Sequence, residues 1–152
     1  MSNFQDYINS ATIQSHYIPR RSKMNYISLV LGLIAMVALG MLWYSKLLFG
    51  RQWLALQKFV DAKPAPSTKA LALSIIMNLI ITAAVNWLVI QNNLNLLGAV
   101  ELALFIWIGF LVPFHAQNII HGKQPFKLFA IISGYQLVGL LIVSLISAAL
   151  LR

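Results

Sequence analysis

The sequence of 152 residues contains no cysteine, which excludes a disulfide framework and a thiolate metal site. Acid is almost as scarce. Three Asp and Glu stand against eleven Lys and Arg, and charged residues make up 9% of the chain. Soluble domains carry about 25%. A water-soluble domain of this size would lack the polar groups to clothe its surface. No Gly-rich phosphate loop and no Gly-x-Ser-x-Gly elbow occurs, so the common phosphate-binding and serine-hydrolase signatures are absent. What remains is apolar: 60% of residues are hydrophobic and 11% aromatic, which also excludes disorder. The composition is that of a small integral membrane protein.

One helical crossing needs about 20 apolar residues. The hydrophobic runs predict an all-α polytopic membrane protein with four crossings, at residues 26–46, 69–91, 97–120 and 126–150. They form a transmembrane domain of residues 24–152, preceded by a polar extension over residues 1–23. Ser28, Gly32, Ala35 and Gly40 recur at spacings that let a second helix approach the first crossing closely. Trp43 and Tyr44 suit the head-group level at its end. Residues 47–62 are too short and too charged to cross. With Phe49, Trp53, Leu56, Phe59 and Val60 on one side and Arg51, Lys58 and Asp61 elsewhere, they predict an amphipathic interfacial helix anchored by Trp53. Pro64 and Pro66 end it. Gly50-Arg51-Gln52 and Gly122-Lys123-Gln124 hint at tandem hairpins offset by 72 residues.

The most informative pattern lies in the second crossing. Ser74, Asn78, Thr82 and Asn86 recur at every fourth residue, so they wind slowly along one side of a helix. Amides facing lipid are costly, and the stripe should face protein or water. Two readings stay open: hydrogen bonds between helices, or the lining of a polar passage with Glu101, His115 and Asn118 near its mouths. Glu101 falls in the early turns of the third crossing, where a helix N-terminus favours a carboxylate. Pro113 removes the hydrogen bond to the Gly109 carbonyl, where glycine would relieve crowding, and predicts a kink. Glu101 and His115 stand fourteen residues apart, about 21 Å along a helix, too far for one catalytic site. Neither His115 nor His121 has an acidic partner at metal-ligand spacing. No catalytic residue, metal site or cofactor is expected.

The formal charge of +8 is scattered between apolar runs and forms no dense stripe, which favours anionic lipid head groups over nucleic acid. Arg20, Arg21, Lys23 and Arg152 fall on one side of the predicted topology. Lys46, Arg51, Lys58, Lys63, Lys69, Lys123 and Lys127 fall on the other, which predicts both termini outside.

The run Gly40-Met41-Leu42-Trp43-Tyr44-Ser45-Lys46-Leu47-Leu48-Phe49-Gly50-Arg51-Gln52-Trp53 resembles the Gly-x-Leu-Trp-Tyr-Ser-Pro-x-x-Phe-Gly-x-x-Trp signature of a small bacterial membrane family, domain of unknown function 1761. Met24-Asn25-Tyr26, Gly109-Phe110, Lys127-Leu128-Phe129 and Gly134-Tyr135 resemble its other motifs. Lys46 departs from the pattern, standing where proline is common. The resemblance implies a four-span protein of the bacterial cytoplasmic membrane and implies no activity.

The expectation for function is a non-enzymatic accessory or assembly subunit, self-associated or bound to a larger membrane complex. The alternative is small-molecule or lipid binding and transport through the polar-lined bundle. A membrane enzyme using Tyr44, Glu101 and His115 ranks third.

Overall fold

The computed structural model describes residues 25–56, 68–121 and 124–151. They fold as α1 (Tyr26–Trp43), α2 (Gly50–Leu56), α3 (Thr68–Gln91), α4 (Leu96–Ile106), a π-helical turn (Trp107–Leu111), α5 (Val112–Ile120) and α6 (Phe126–Ala149). The helix from α4 through α5 is continuous, so four helices of 18 to 25 residues, with mean hydropathy of 2.1 to 2.2, are long and apolar enough to cross a bilayer. The fold is all-α and polytopic.

Asparagines set the helix ends on one side of the molecule. Asn25 Oδ1 accepts from the Ile27 and Ser28 amides at 3.0 and 3.3 Å, satisfying donors that the first turn of α1 leaves free. Asn95 caps α4 in the same way, accepting from Gly98 N at 2.8 Å. Between them, α3 ends where Leu94 N donates to Val89 O and Asn93 N to Ile90 O, with Asn93 in the left-handed region at φ 48°. Asparagine tolerates that conformation better than most residues, and the pattern closes the last carbonyls of the helix.

Two boundaries differ from the sequence reading. The first crossing stops at Trp43 rather than residue 46, because Phe49 N reaches back to Trp43 O and Gly50 N to Ser45 O, folding residues 44–49 into turns. The short helix accordingly starts at Gly50, not Leu47. Its continuation over residues 57–62, with Lys58, Phe59, Val60 and Asp61, lies outside the described residues, as do Pro64, Pro66, the extension over residues 1–23, Arg152, and the Gly122-Lys123 half of the repeat.

Pro113 does disturb the third crossing, by a widened turn. Val112 N donates to Trp107 O, five residues back, just before the position where proline supplies no amide. Gly109 does not relieve crowding here, since a Cβ on it would meet nothing within 4 Å.

The core is organised around α6, which packs against α1, α2, α3 and every segment of the third crossing. It runs antiparallel to α1, with Asn25 Nδ2 donating to Leu150 O at 3.0 Å and Gly139 against Met36. It runs parallel to α3, as the pairs Asn78–Tyr135 and Asn86–Ser147 require. The α1, α3 and α6 helices touch one another, whereas the third crossing rests chiefly on the other side of α6. Met36, Val85, Val89, Leu140 and Val143 fill the interior, and Ala99 and Ala103 let α4 lie close to α6. Small residues set these distances. A Cβ on Gly32 would stand 2.9 Å from Thr82 Cγ2, and one on Gly139 2.6 Å from Met36 Sδ.

Candidate functional site

The polar stripe of α3 grades from outside to inside. Ser74 is exposed and its hydroxyl donates to Ala70 O at 2.9 Å, on its own helix. Asn78 is half-buried and within polar contact of Tyr135. Thr82 and Asn86 are 0% exposed. Asn86 Nδ2 donates to Ser28 Oγ on α1 and to Ser147 Oγ on α6, at 3.1 Å for the latter, so one amide ties three crossings together. Ser28 Oγ in turn donates a hydrogen bond to Asn25 O at 2.8 Å. Each step of four residues turns the stripe by about 40°, which places Ser74 about 120° from Asn86 and accounts for the gradation.

Glu101, His115 and Asn118 do not join this seam. Glu101 and Asn118 are exposed. His115 is half-buried, lies edge-on to Phe114 with ring centroids 5.6 Å apart, and its Nε2 has no hydrogen-bond partner among the described residues. A hollow of about 210 Å³ opens at the end where α3 passes into α4 and α6 finishes, among Asn93, Leu94, Asn95, Leu96, Ala148 and Leu151, and neither Asn78 nor Asn86 lines it. Among the described residues no group of three His, Cys, Asp or Glu side chains could hold a metal ion.

A second cluster forms where α1 ends and α6 begins. Trp43 lies 4.9 Å from Phe49 and 6.3 Å from Tyr135, while Tyr44 lies 5.2 Å from Trp53 and 5.4 Å from Tyr135, ring centre to ring centre. Such tilted and edge-on pairs suit the quadrupoles of the rings. Two glycines make room for them across the helix interface. A Cβ on Gly40 would sit 3.3 Å from the Tyr135 hydroxyl oxygen, and one on Gly134 3.3 Å from the Trp43 ring. The Trp43 indole N–H donates to Ile131 O at 3.0 Å. Ser45 Oγ donates to Leu42 O at 2.7 Å and accepts from Leu47 N at 3.2 Å, fixing the turn. Gly50 must be small for the same turn, since a Cβ would press on the Tyr44 carbonyl and stand 2.6 Å from Ser45 O. Burial, and then the neighbouring Tyr135, push the Tyr44 phenol up from 10.0 to about 12.

A family model described as protein of unknown function (DUF1761) matches residues 27–148. The chain belongs to that family. No curated protein and no solved structure matches it. The residues that resemble the DUF1761 signature, Gly40, Trp43, Tyr44, Ser45, Phe49, Gly50 and Trp53, meet Gly134 and Tyr135 in the aromatic cluster, while Lys127 is exposed outside it. In this member of DUF1761 the signature thus folds a tight turn and clasps α1 to α6.

Sequence reading missed a second clasp on α6. Trp107 donates its indole N–H to both the carbonyl and the hydroxyl of Ser133, each at 2.9 Å. The signal available was a hydrogen-bonding tryptophan in one apolar run and a serine in another, without any spacing to pair them.

Proposed function

We propose that this protein is a non-catalytic accessory or assembly element of the bacterial cytoplasmic membrane, working through its lateral surface, with the α1–α2 end and the loop before α6 in the cytoplasm. One contrast carries the reading: the interior amide of Asn86 bonds Ser28 and Ser147 between helices, whereas the acid of the crossings, Glu101, is turned outward. A carrier would need its polar side chains free to meet a passing solute. Here Asn86 is fully enclosed with its Nδ2 hydrogens bonded to neighbouring helices, while its Oδ1 and Thr82 Oγ1 are sealed from solvent with no partner among the described residues, and Asn78 meets Tyr135, which favours assembly over passage. The thin set of ionisable groups in the crossings, with Glu101 and His115 far apart, likewise favours binding over catalysis.

Chemical crosslinking in native membranes, followed by mass measurement in mild detergent, tests the proposal. The expected result is a species heavier than one chain, either a defined oligomer or a complex with a second protein. A monodisperse monomer that carries no other polypeptide would overturn it.

A further inference from the structure

Glu101 is the one carboxylate within the four crossings. The α4 helix turns Ala99 and Ala103, both 0% exposed, toward α6. Glu101 lies two residues from each, about 160–200° around the helix, and therefore on the opposite face. Its neighbours there are apolar and outward: Leu97, Leu104, Phe105 and Ile108 are 67, 38, 66 and 58% exposed. Its carboxylate has no hydrogen bond or ion pair among the described residues.

Depth makes this position costly. Asn95 shares the end of the molecule with Ala148 and Leu151, and Glu101 lies six residues further along, about 9 Å down the helix. That exceeds the length of a glutamate side chain. Carboxylates inside a membrane ordinarily pair or face a cavity. The chain's own described cations cannot reach it, because Lys46, Arg51, Lys69 and Lys127 flank the opposite end of the crossings. Among the described residues, a second copy in the same orientation would bring those cations to that same far end, and would offer Glu101 another carboxylate at its own depth.

Resting on the accessory reading, we infer that the outward face of the third crossing docks a transmembrane helix of a different protein, one that carries a single Lys or Arg at the depth of Glu101. The apolar neighbours supply packing surface, and the carboxylate supplies register and choice of partner.

The test uses the full-length protein in phosphatidylcholine vesicles with synthetic Leu/Ala transmembrane peptides, followed by fluorescence energy transfer. One peptide carries Lys at the matching depth, one carries Leu there, and one carries Lys near its other end. The matched Lys peptide should bind about tenfold more tightly than the other two, a difference of about 1.4 kcal/mol. Glu101→Gln should abolish the preference without changing stability to detergent, and Glu101→Lys should transfer it to a peptide carrying Glu. A decisive control moves the charge: Leu31 lies six residues from Asn25, as Glu101 does from Asn95, and is exposed on α1. Leu31→Glu in the Glu101→Gln background should fail to restore binding. Equal binding of all three peptides, restoration by Leu31→Glu, or a photo-crosslinker at Ile108 that joins two copies of this chain would each overturn the inference. If oligomers or complexes persist in mild detergent while peptide discrimination is absent, the accessory reading stands and this one falls.

Discussion

A single side-chain amide holds three membrane helices when its two hydrogens find acceptors on different neighbours, and Asn86 does so through Ser28 and Ser147. Asn86→Ala should therefore lower stability by about 1–2 kcal/mol in detergent-titrated unfolding, near the upper end for polar contacts between membrane helices. Ser74→Ala, on an exposed residue bonded to its own helix, should stay within about 0.5 kcal/mol in the same assay. The period of the stripe was legible in the sequence. Which members point inward was not, because helix rotation alone cannot say where the neighbouring helices stand. Tyr44 offers a second residue-scale expectation. Its phenol is raised in the folded protein, so it stabilises the fold fully below pH 10, and that contribution is lost as pH rises from 10 through about 12. Spectrophotometric phenolate titration should show a late component that Tyr44→Phe diminishes. Gly50→Ala should disrupt the turn after α1, where its Cβ meets backbone carbonyls, while Gly109→Ala should be tolerated or slightly stabilising. Thermal aggregation midpoints of the two variants separate these outcomes.

Among the elements, α6 is gripped from two sides. Ile131 and Ser133 stand about 200° apart on its surface, and each receives an indole N–H, from Trp43 on α1 and from Trp107 in the third crossing. Trp43→Phe and Trp107→Phe should each cost about 1 kcal/mol, and the double variant should be additive within about 0.5 kcal/mol, as expected of sites that share no contact. Additivity in detergent-titrated unfolding checks the geometry directly. The crossings themselves could be read from sequence because bilayer thickness dictates the length of an apolar run. Local departures could not. Pro113 announces a missing donor but not that the helix answers with a π turn, and Trp43-Tyr44-Ser45 reads equally well as an interfacial anchor or as the inward-facing turn that it forms.

Taken as a whole, the molecule crosses an even number of times, and the bond from Asn25 Nδ2 to Leu150 O brings the start of α1 beside the end of α6. Reporters fused to the two termini should light up on the same side of the membrane, and positive-charge bias predicts that side to be the outside. The native absence of cysteine makes a second check free of background. Paired cysteines at Asn25 and Leu150 should couple within one chain under a short bifunctional reagent. The central position of α6 has a further consequence, for the order of biogenesis. Of the four crossings it is the last to leave the ribosome. The α1 and α3 helices can already meet through Ser28 and Asn86, but the third crossing must wait in lipid with the Trp107 indole unmatched until Ser133 is synthesised. The fourth crossing thus acts as a keystone, and a chain stopped shortly before residue 126 would leave α1 and α3 paired but the third crossing without its support.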